Sequence, residues 1–142
     1  MGWAATFGSM DFSVIAPLYA SGIAWTMVYD TIYANQDRED DASLGLKSTA
    51  LTFSSDGDAR QKQILHAFAA MAYGGWLLSG YNLYDPLLLA QASAGSPMAF
   101  GMYATGVSAA YAHLRWQIRT ADFNDPHNLA ERFRSNTKTG GI

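Results

Sequence analysis

Four acidic side chains stand within five positions in the stretch Tyr29–Leu51, and they are the residues of this chain best suited to chemistry: Asp37, Glu39, Asp40 and Asp41. Carboxylates crowded in this way repel one another unless cations neutralise them, and ligands that are all oxygen suit a hard cation. Mg²⁺ keeps several waters and binds through one or two carboxylates plus substrate phosphates. The stretch therefore predicts a Mg²⁺-diphosphate site, and the alternative is a solvated acidic loop.

Spacing groups three of the carboxylates of this stretch. Asp30 lies seven positions before Asp37, and Asp41 lies four positions after it. On a helix that continued through the stretch, these spacings would place all three side chains on one face. Lys47, with Arg38 as a lesser candidate, is the cation expected to contact the same phosphates. The predicted metal ligands are thus Asp37 and Asp41. Asp30, Arg38 and Lys47 are predicted to lie around the diphosphate.

The elements that must position these residues are helices that cross a membrane. The chain has 142 residues, of which 49% are hydrophobic and 15% are charged, whereas soluble domains carry about 25% charged residues. No charged residue occurs in the ranges 12–29, 63–84 and 86–114, and a spanning helix needs about 20 predominantly apolar residues. We predict an all-α transmembrane bundle with spans at about 13–33, 64–81 and 98–116. A soluble all-α bundle with buried helices is the alternative.

The basic residues support this topology. All 9 Lys and Arg residues lie either between positions 34 and 63 or from Arg115 onwards. Three spans put these two regions on one side of the membrane, as the positive-inside rule requires. We therefore predict one partial transmembrane domain over 1–142, with loop 34–63 and its acidic stretch on the inner side. The net charge of −3 argues against a nucleic-acid partner, and the absence of cysteine excludes disulfides and thiolate chemistry.

A resemblance to a known family sharpens these expectations. The segments Y-D-T-I-Y-A-N-Q-D-R-E-D-D (29–41) and G-L-K-S-T-A-L (45–51) resemble the second aspartate-rich motif of the UbiA superfamily of intramembrane prenyltransferases. Within it, the similarity is to the 4-hydroxybenzoate polyprenyltransferases of ubiquinone biosynthesis. Three further segments resemble the same family: G-I-A-W-T (22–26), H-L-x-x-Q-I (113–118) and F-R-S-N (133–136).

The resemblance implies a membrane enzyme of nine α-helical spans, in which two aspartate motifs face each other and hold Mg²⁺ and the diphosphate of a polyprenyl donor. Ionisation gives an allylic cation that alkylates 4-hydroxybenzoate ortho to its hydroxyl. By position, Asp37 and Asp41 match the two aspartates of the motif, and Lys47 matches its lysine. Asp30 matches an aspartate expected to shape the site.

One departure from the family pattern affects what this chain can do. The first aspartate motif, of the N-D-x-x-D-x-x-x-D type, does not occur in this sequence. We therefore expect an interior-to-late piece of the enzyme that needs the missing N-terminal half and is inactive alone. A non-catalytic membrane scaffold or cation-binding subunit is the alternative. The expected location is the mitochondrial inner membrane, with a bacterial inner membrane as the second possibility.

Overall fold

The computed structural model describes residue 5 and residues 8–84 and 97–139 of the chain. Within these ranges every regular element is a helix, so the all-α prediction is confirmed. The elements in chain order are α1 (Phe12–Ala34), a 3₁₀ turn (Asn35–Asp37), α2 (Arg38–Ser43), α3 (Thr49–Phe53), α4 (Asp58–Leu83), α5 (Pro97–Thr120), α6 (Pro126–Arg134) and α7 (Asn136–Thr139).

Short polar signals set where the helices begin. Asp11 caps α1, because its carboxylate accepts hydrogen bonds from the backbone N–H of Ser13 at 2.9 Å and from its hydroxyl at 2.6 Å. The Ser13 hydroxyl is the main cause that holds the pKa of Asp11 below its usual range. Asp125 caps α6 in the same way. Its carboxylate accepts hydrogen bonds from the backbone N–H of His127 at 2.9 Å and from that of Asn128 at 3.3 Å. Proline at the first helical position suits such a start.

The long helices form a row in which α4 packs between α1 and α5. Gly75 of α4 allows a close approach to α1, since a Cβ atom there would lie 2.8 Å from the carbonyl oxygen of Pro17. On the other side of α4, Gly80 lies against the ring of Tyr103. The Tyr103 hydroxyl donates to the carbonyl oxygen of Trp76 at 2.6 Å. Small residues on α4 thus let both neighbours approach closely, as in other helical membrane proteins.

Pro17 leaves a gap in the hydrogen bonding of α1, which α4 fills. A proline inside a helix has no N–H, so the carbonyl four residues earlier, that of Ser13, loses its donor. The Asn82 amide donates to this oxygen at 2.7 Å. The buried Ser79 hydroxyl donates to the next carbonyl, that of Val14, at 2.9 Å. Polar side chains near the end of α4 therefore fix the beginning of α1.

The buried apolar core gathers at the opposite end of the row, where α1 ends and α4 begins. Its members are almost fully inaccessible to solvent and come from α1, α4, α5, α6 and the turn between α5 and α6: Val28, Ile32, Leu65, Ala69, Leu114, Ile118, Ala121, Phe123 and Leu129. The acidic stretch follows α1 directly, so this core lies beside the candidate site.

The predicted spans correspond to helices, although the spans themselves stay a prediction. Helices α1, α4 and α5 cover the ranges 13–33, 64–81 and 98–116 with a few residues to spare. Among the described residues, one helical stretch, Phe12–Ser43, contains an 18-residue window apolar enough to cross a membrane, with a mean hydropathy of 1.3 over that window. The predicted outer connection lies mostly at positions 85–96, outside the described residues.

Candidate functional site

The acidic stretch begins where α1 ends. The buried Asn35 side chain donates to the carbonyl oxygen of Thr31 at 2.7 Å, one turn back in α1. The chain then makes the 3₁₀ turn and restarts as α2, a single short helix of six residues. Asp37 ends the turn and is exposed, whereas Asp41 lies in α2 and is half-buried. The two aspartates therefore stand next to the end of the bundle that holds the apolar core, on separate elements.

This break in the helix removes the shared face predicted for Asp30, Asp37 and Asp41. The shared face required a continuous α-helix, but α1 ends at Ala34 and Asp37 has φ −103° and ψ 10°. A 3₁₀ turn has 3.0 residues per turn instead of 3.6, so spacings of four and seven no longer define one face. Within residues 8–84 and 97–139, no three acidic or histidine side chains converge as a metal site. The roles of Asp30, Asp37 and Asp41 stay predictions.

Gly45 turns the chain back toward Asp41. Its φ of 68° lies in the left-handed region that glycine adopts without strain. The Leu46 N–H donates to the carbonyl oxygen of Asp41 at 2.9 Å, and the Gly45 N–H donates to that of Ala42 at 3.3 Å. This pair of bonds is the Schellman pattern that ends many helices. These two bonds hold the backbone that precedes Lys47 against the helical turn that carries Asp41.

The two residues after Lys47, Ser48 and Thr49, fix the backbone on the C-terminal side of Lys47. Ser48 caps α3, because its hydroxyl accepts from the N–H of Leu51 at 3.3 Å. The Thr49 hydroxyl pairs with that of Thr31, which is fully buried in α1, at 3.1 Å. Lys47 itself is exposed. Its backbone is therefore fixed at both flanks while its ammonium group faces solvent, an arrangement that suits contact with a phosphate.

Arg38 is engaged within the protein instead. Its Nη1 lies 3.2 Å from Oδ1 of Asp58 at the start of α4, and its Nη2 donates to Oδ1 of Asn124 at 3.3 Å. Both acceptors come from segments that follow the acidic stretch in the chain. A cavity of about 250 Å³ lies beside this contact, lined partly by Asn35 and Gln36. In this structure Arg38 thus ties the first residue of α2 to α4 and to the turn after α5.

An aromatic wall stands beside Asp30: the sequence predicts that Tyr29 and Tyr33 shape a pocket mouth there, whereas the part played by Phe133 was not foreseen. Phe133 of α6 packs against Tyr33 and Tyr29 of α1, with ring centroids 4.6 and 6.0 Å apart. Asp30, which lies between the two tyrosines in the chain, is exposed.

The fully buried Gln117 of α5 holds the end of α6 through its amide nitrogen. This nitrogen donates to the carbonyl oxygen of Arg132 at 3.0 Å, to the hydroxyl of Ser135 at 2.8 Å and to the side-chain oxygen of Asn136 at 3.1 Å.

Comparison with known proteins identifies the family. The model of the UbiA prenyltransferase family matches residues 1–136, and the chain belongs to this family. Two of its relatives are named mitochondrial 4-hydroxybenzoate polyprenyltransferase, one from Dictyostelium discoideum and one from Bos taurus. They are 41% identical over 139 residues and 44% identical over 142 residues, which are 98% and 100% of this chain. A human protein of the same name is 39% identical over 142 residues.

The matched region is one part of these relatives. The chain spans 26% of the length of the Dictyostelium protein and 33% of the bovine and human proteins. No solved structure matches the chain. The comparisons therefore establish the family over this part of the relatives' length.

Proposed function

We propose that this chain carries the second aspartate-rich half of an intramembrane active site. That site transfers a polyprenyl group from polyprenyl diphosphate to 4-hydroxybenzoate in ubiquinone biosynthesis. The observation that carries the proposal is the identity of about 40% with proteins of that name over nearly the whole chain. The location we propose is the mitochondrial inner membrane, because these relatives are named mitochondrial.

The residues present fit Mg²⁺ bound to a diphosphate. Asp37 and Asp41, one exposed and one half-buried, would hold the ion through their carboxylates, and phosphate oxygens and water would supply its other ligands. When bound, the ion stabilises the charge that develops on the leaving diphosphate. Lys47, exposed and fixed at its flanks, would contact the diphosphate as a point charge. Further carboxylates would come from the first aspartate motif of the family.

The proposed reaction is an electrophilic substitution. The C–O bond between the allylic carbon and the diphosphate breaks, and its electron pair leaves with the diphosphate. The ring carbon ortho to the hydroxyl of 4-hydroxybenzoate then forms a C–C bond with the allylic cation, and its proton is lost as the ring regains aromaticity. The cation must be shielded from water until this bond forms. The aromatic wall of Tyr29, Tyr33 and Phe133 would contribute to that shielding beside Asp30.

A chimera tests the proposal. The 142 residues of this chain replace the matching third of the bovine relative, and transfer of a labelled prenyl group to 4-hydroxybenzoate is measured in liposomes with Mg²⁺. We expect activity, and we expect Asp37→Asn or Asp41→Asn to lower kcat by roughly 100-fold or more, since each removes a charge that supports the leaving group. Glu39→Gln is the matched control within the same stretch and should have a mild effect.

The outcome of the same experiment separates an enzyme from a scaffold. A chimera that folds and inserts but transfers no prenyl group would indicate a non-catalytic membrane protein. Equal losses in Asp37→Asn and Glu39→Gln would show that the acidic stretch acts only through its total charge. Omission of Mg²⁺ should abolish turnover, and activity that persists in excess chelator would refute the assigned role of the two aspartates.

A further inference from the structure

A second group of charged residues lies at the seam between α4 and α5. We call it the basic cluster and define it as Lys62 and His66 of α4 with Arg115 and Arg119 of α5. Positions 62 and 66 are one turn apart on α4, positions 115 and 119 are one turn apart on α5, and the two helices pack against each other. Lys62 also donates to the carbonyl oxygen of Arg119 at 3.4 Å, which fixes the register of the two helices at this point.

No carboxylate neutralises the basic cluster within residues 8–84 and 97–139. The two ion pairs in that part of the chain are Arg38 with Asp58 and Arg132 with Glu131. The cations of the cluster rest instead on aromatic rings: Lys62 lies 5.4 Å from the ring centroid of Phe123, and Arg115 lies 5.7 Å from that of Tyr111. Positive side chains that share one seam and have no carboxylate in ion-pair contact attract anions, and a bound anion would lower their mutual repulsion.

The surface along the seam from the basic cluster carries exposed small residues around one pair of tyrosines. Tyr73 and Tyr111 stack at 4.6 Å across the seam, and the Tyr73 hydroxyl lies 3.2 Å from that of Ser108. Exposed small residues flank this pair on both helices, and a Cβ atom added at Gly74 would meet nothing within 4 Å. We call this surface the trough, and its residues are Ala70, Gly74, Ser108 and Ala112.

We propose that the basic cluster and the trough together bind one anionic phospholipid. The phosphodiester lies among Lys62, Arg115 and Arg119, and an acyl chain follows the trough past the two stacked tyrosines. Charge complementarity carries the assignment, because basic pockets between membrane helices on the inner side take anionic headgroups. A zwitterionic lipid carries its own ammonium group, which cancels much of the attraction. The family comparison assigns no role to this seam.

Native mass spectrometry tests the proposal on the 142-residue chain in a neutral detergent. Phosphatidylglycerol and phosphatidylcholine with the same acyl chains are titrated separately. We expect one phosphatidylglycerol bound with clear preference over phosphatidylcholine. The double variant Arg115→Gln/Arg119→Gln should weaken binding by roughly 20-fold, because one basic side chain at an anionic surface accounts for about fivefold in affinity. Arg115→Lys/Arg119→Lys keeps both charges and should keep most of the affinity.

Two controls separate this site from a general charge effect. Arg60→Gln/Arg134→Gln removes the same charge from exposed arginines outside the basic cluster and should change the affinity less than twofold. Ala112→Phe fills the trough without a change of charge and should weaken lipid binding several-fold. Circular dichroism confirms that each variant is folded, and Ala112→Phe serves as the test if the glutamine variant is not.

Several outcomes would overturn the proposal. Equal losses in the two charge-removing variants would show a general electrostatic effect. Displacement of the lipid by millimolar inorganic phosphate would identify a site for a soluble anion. Equal binding of the two lipids would remove the argument from charge. A dimer that Ala112→Phe dissociates, with no bound lipid, would show that a second copy of the chain occupies the trough.

Discussion

Replacement of Arg38 by methionine should loosen the anchorage of α2 and leave the diphosphate contact of Lys47 in place. The ion pair with Asp58 is partly exposed, with 22% and 46% of the two side chains accessible, so it contributes about 0.5–1 kcal/mol. The second bond, to Asn124 at 3.3 Å, contributes about 0.5–1 kcal/mol. We therefore expect Arg38→Met to lower the free energy of unfolding by about 1–2 kcal/mol. A methionine retains much of the apolar stem of Arg38, which limits the loss of packing.

A double-mutant cycle with Asp58→Asn measures the anchorage directly. The chain is unfolded in mixed micelles with increasing mole fractions of sodium dodecyl sulfate, and the four variants of the cycle are compared. We expect a coupling energy of about 0.5–1 kcal/mol between the two residues. Arg38→Lys keeps the charge but lacks the fork that reaches two acceptors, so it should recover about half of the loss.

The result that would refute this reasoning comes from the comparison with Lys47→Met. Lys47 is exposed, so its replacement should leave unfolding unchanged and, in the bovine chimera, raise KM for the polyprenyl diphosphate. Arg38 is also a predicted diphosphate ligand, and in the structure it bonds to Asp58 and Asn124. If Arg38→Met left unfolding unchanged and raised KM as Lys47→Met does, Arg38 would be a diphosphate ligand and its contacts with α4 would be incidental.

Four other predictions concern the loop, the α1–α4 contact, the topology and the activity. Gly45→Ala should cost about 1 kcal/mol in the same unfolding assay, since φ of 68° is unfavourable for alanine; no loss would mean that the turn at Gly45 is not formed. Asn82→Leu should cost about 1 kcal/mol, because the carbonyl freed by the proline of α1 loses its donor, whereas an unchanged stability would show that water replaces the amide. Single cysteines at Ser55 and Ser135 should react with an impermeant reagent from one side of the membrane and a cysteine at Ser93 from the other, and labelling of all three from one side would exclude three spans. The chain on its own should transfer no prenyl group to 4-hydroxybenzoate, because it offers one aspartate cluster; turnover by the chain alone would contradict the requirement for two.

The helical architecture could be predicted from the sequence because charge placement reports it directly. Charge-free ranges located α1, α4 and α5 to within a few residues at most ends, and the acidic stretch with K-S-T identified the family that the comparisons establish. These features depend only on neighbours along the chain. The start of α4 was the least accurate boundary, since it begins at Asp58 with a polar first turn that carries no hydrophobic signal.

The site details that were missed depend on contacts between distant segments. A charge pattern cannot show that Arg38 bonds to Asn124, 86 positions away, or that Phe133 packs on Tyr33. The sequence does not predict the 3₁₀ turn, because Asn35, Gln36 and Asp37 are no stronger helix breakers than the polar residues that follow them. Some local signals were available: Asp125 followed by Pro126 marks the start of α6, and Gly45 after six helical residues marks the end of α2.

The unequal packing along the helix row has a consequence for how this protein tolerates change. The buried apolar side chains gather beside the acidic stretch, while polar contacts such as Ser79 to Val14 hold the far end. The two ends of the row are therefore held by different interactions, apolar burial beside the aspartates and hydrogen bonds at the far end. A cavity made in the apolar core should disturb the aspartates more than the loss of one hydrogen bond at the far end, because the core lies next to them. Substitutions at the far end should therefore cost stability before they cost function.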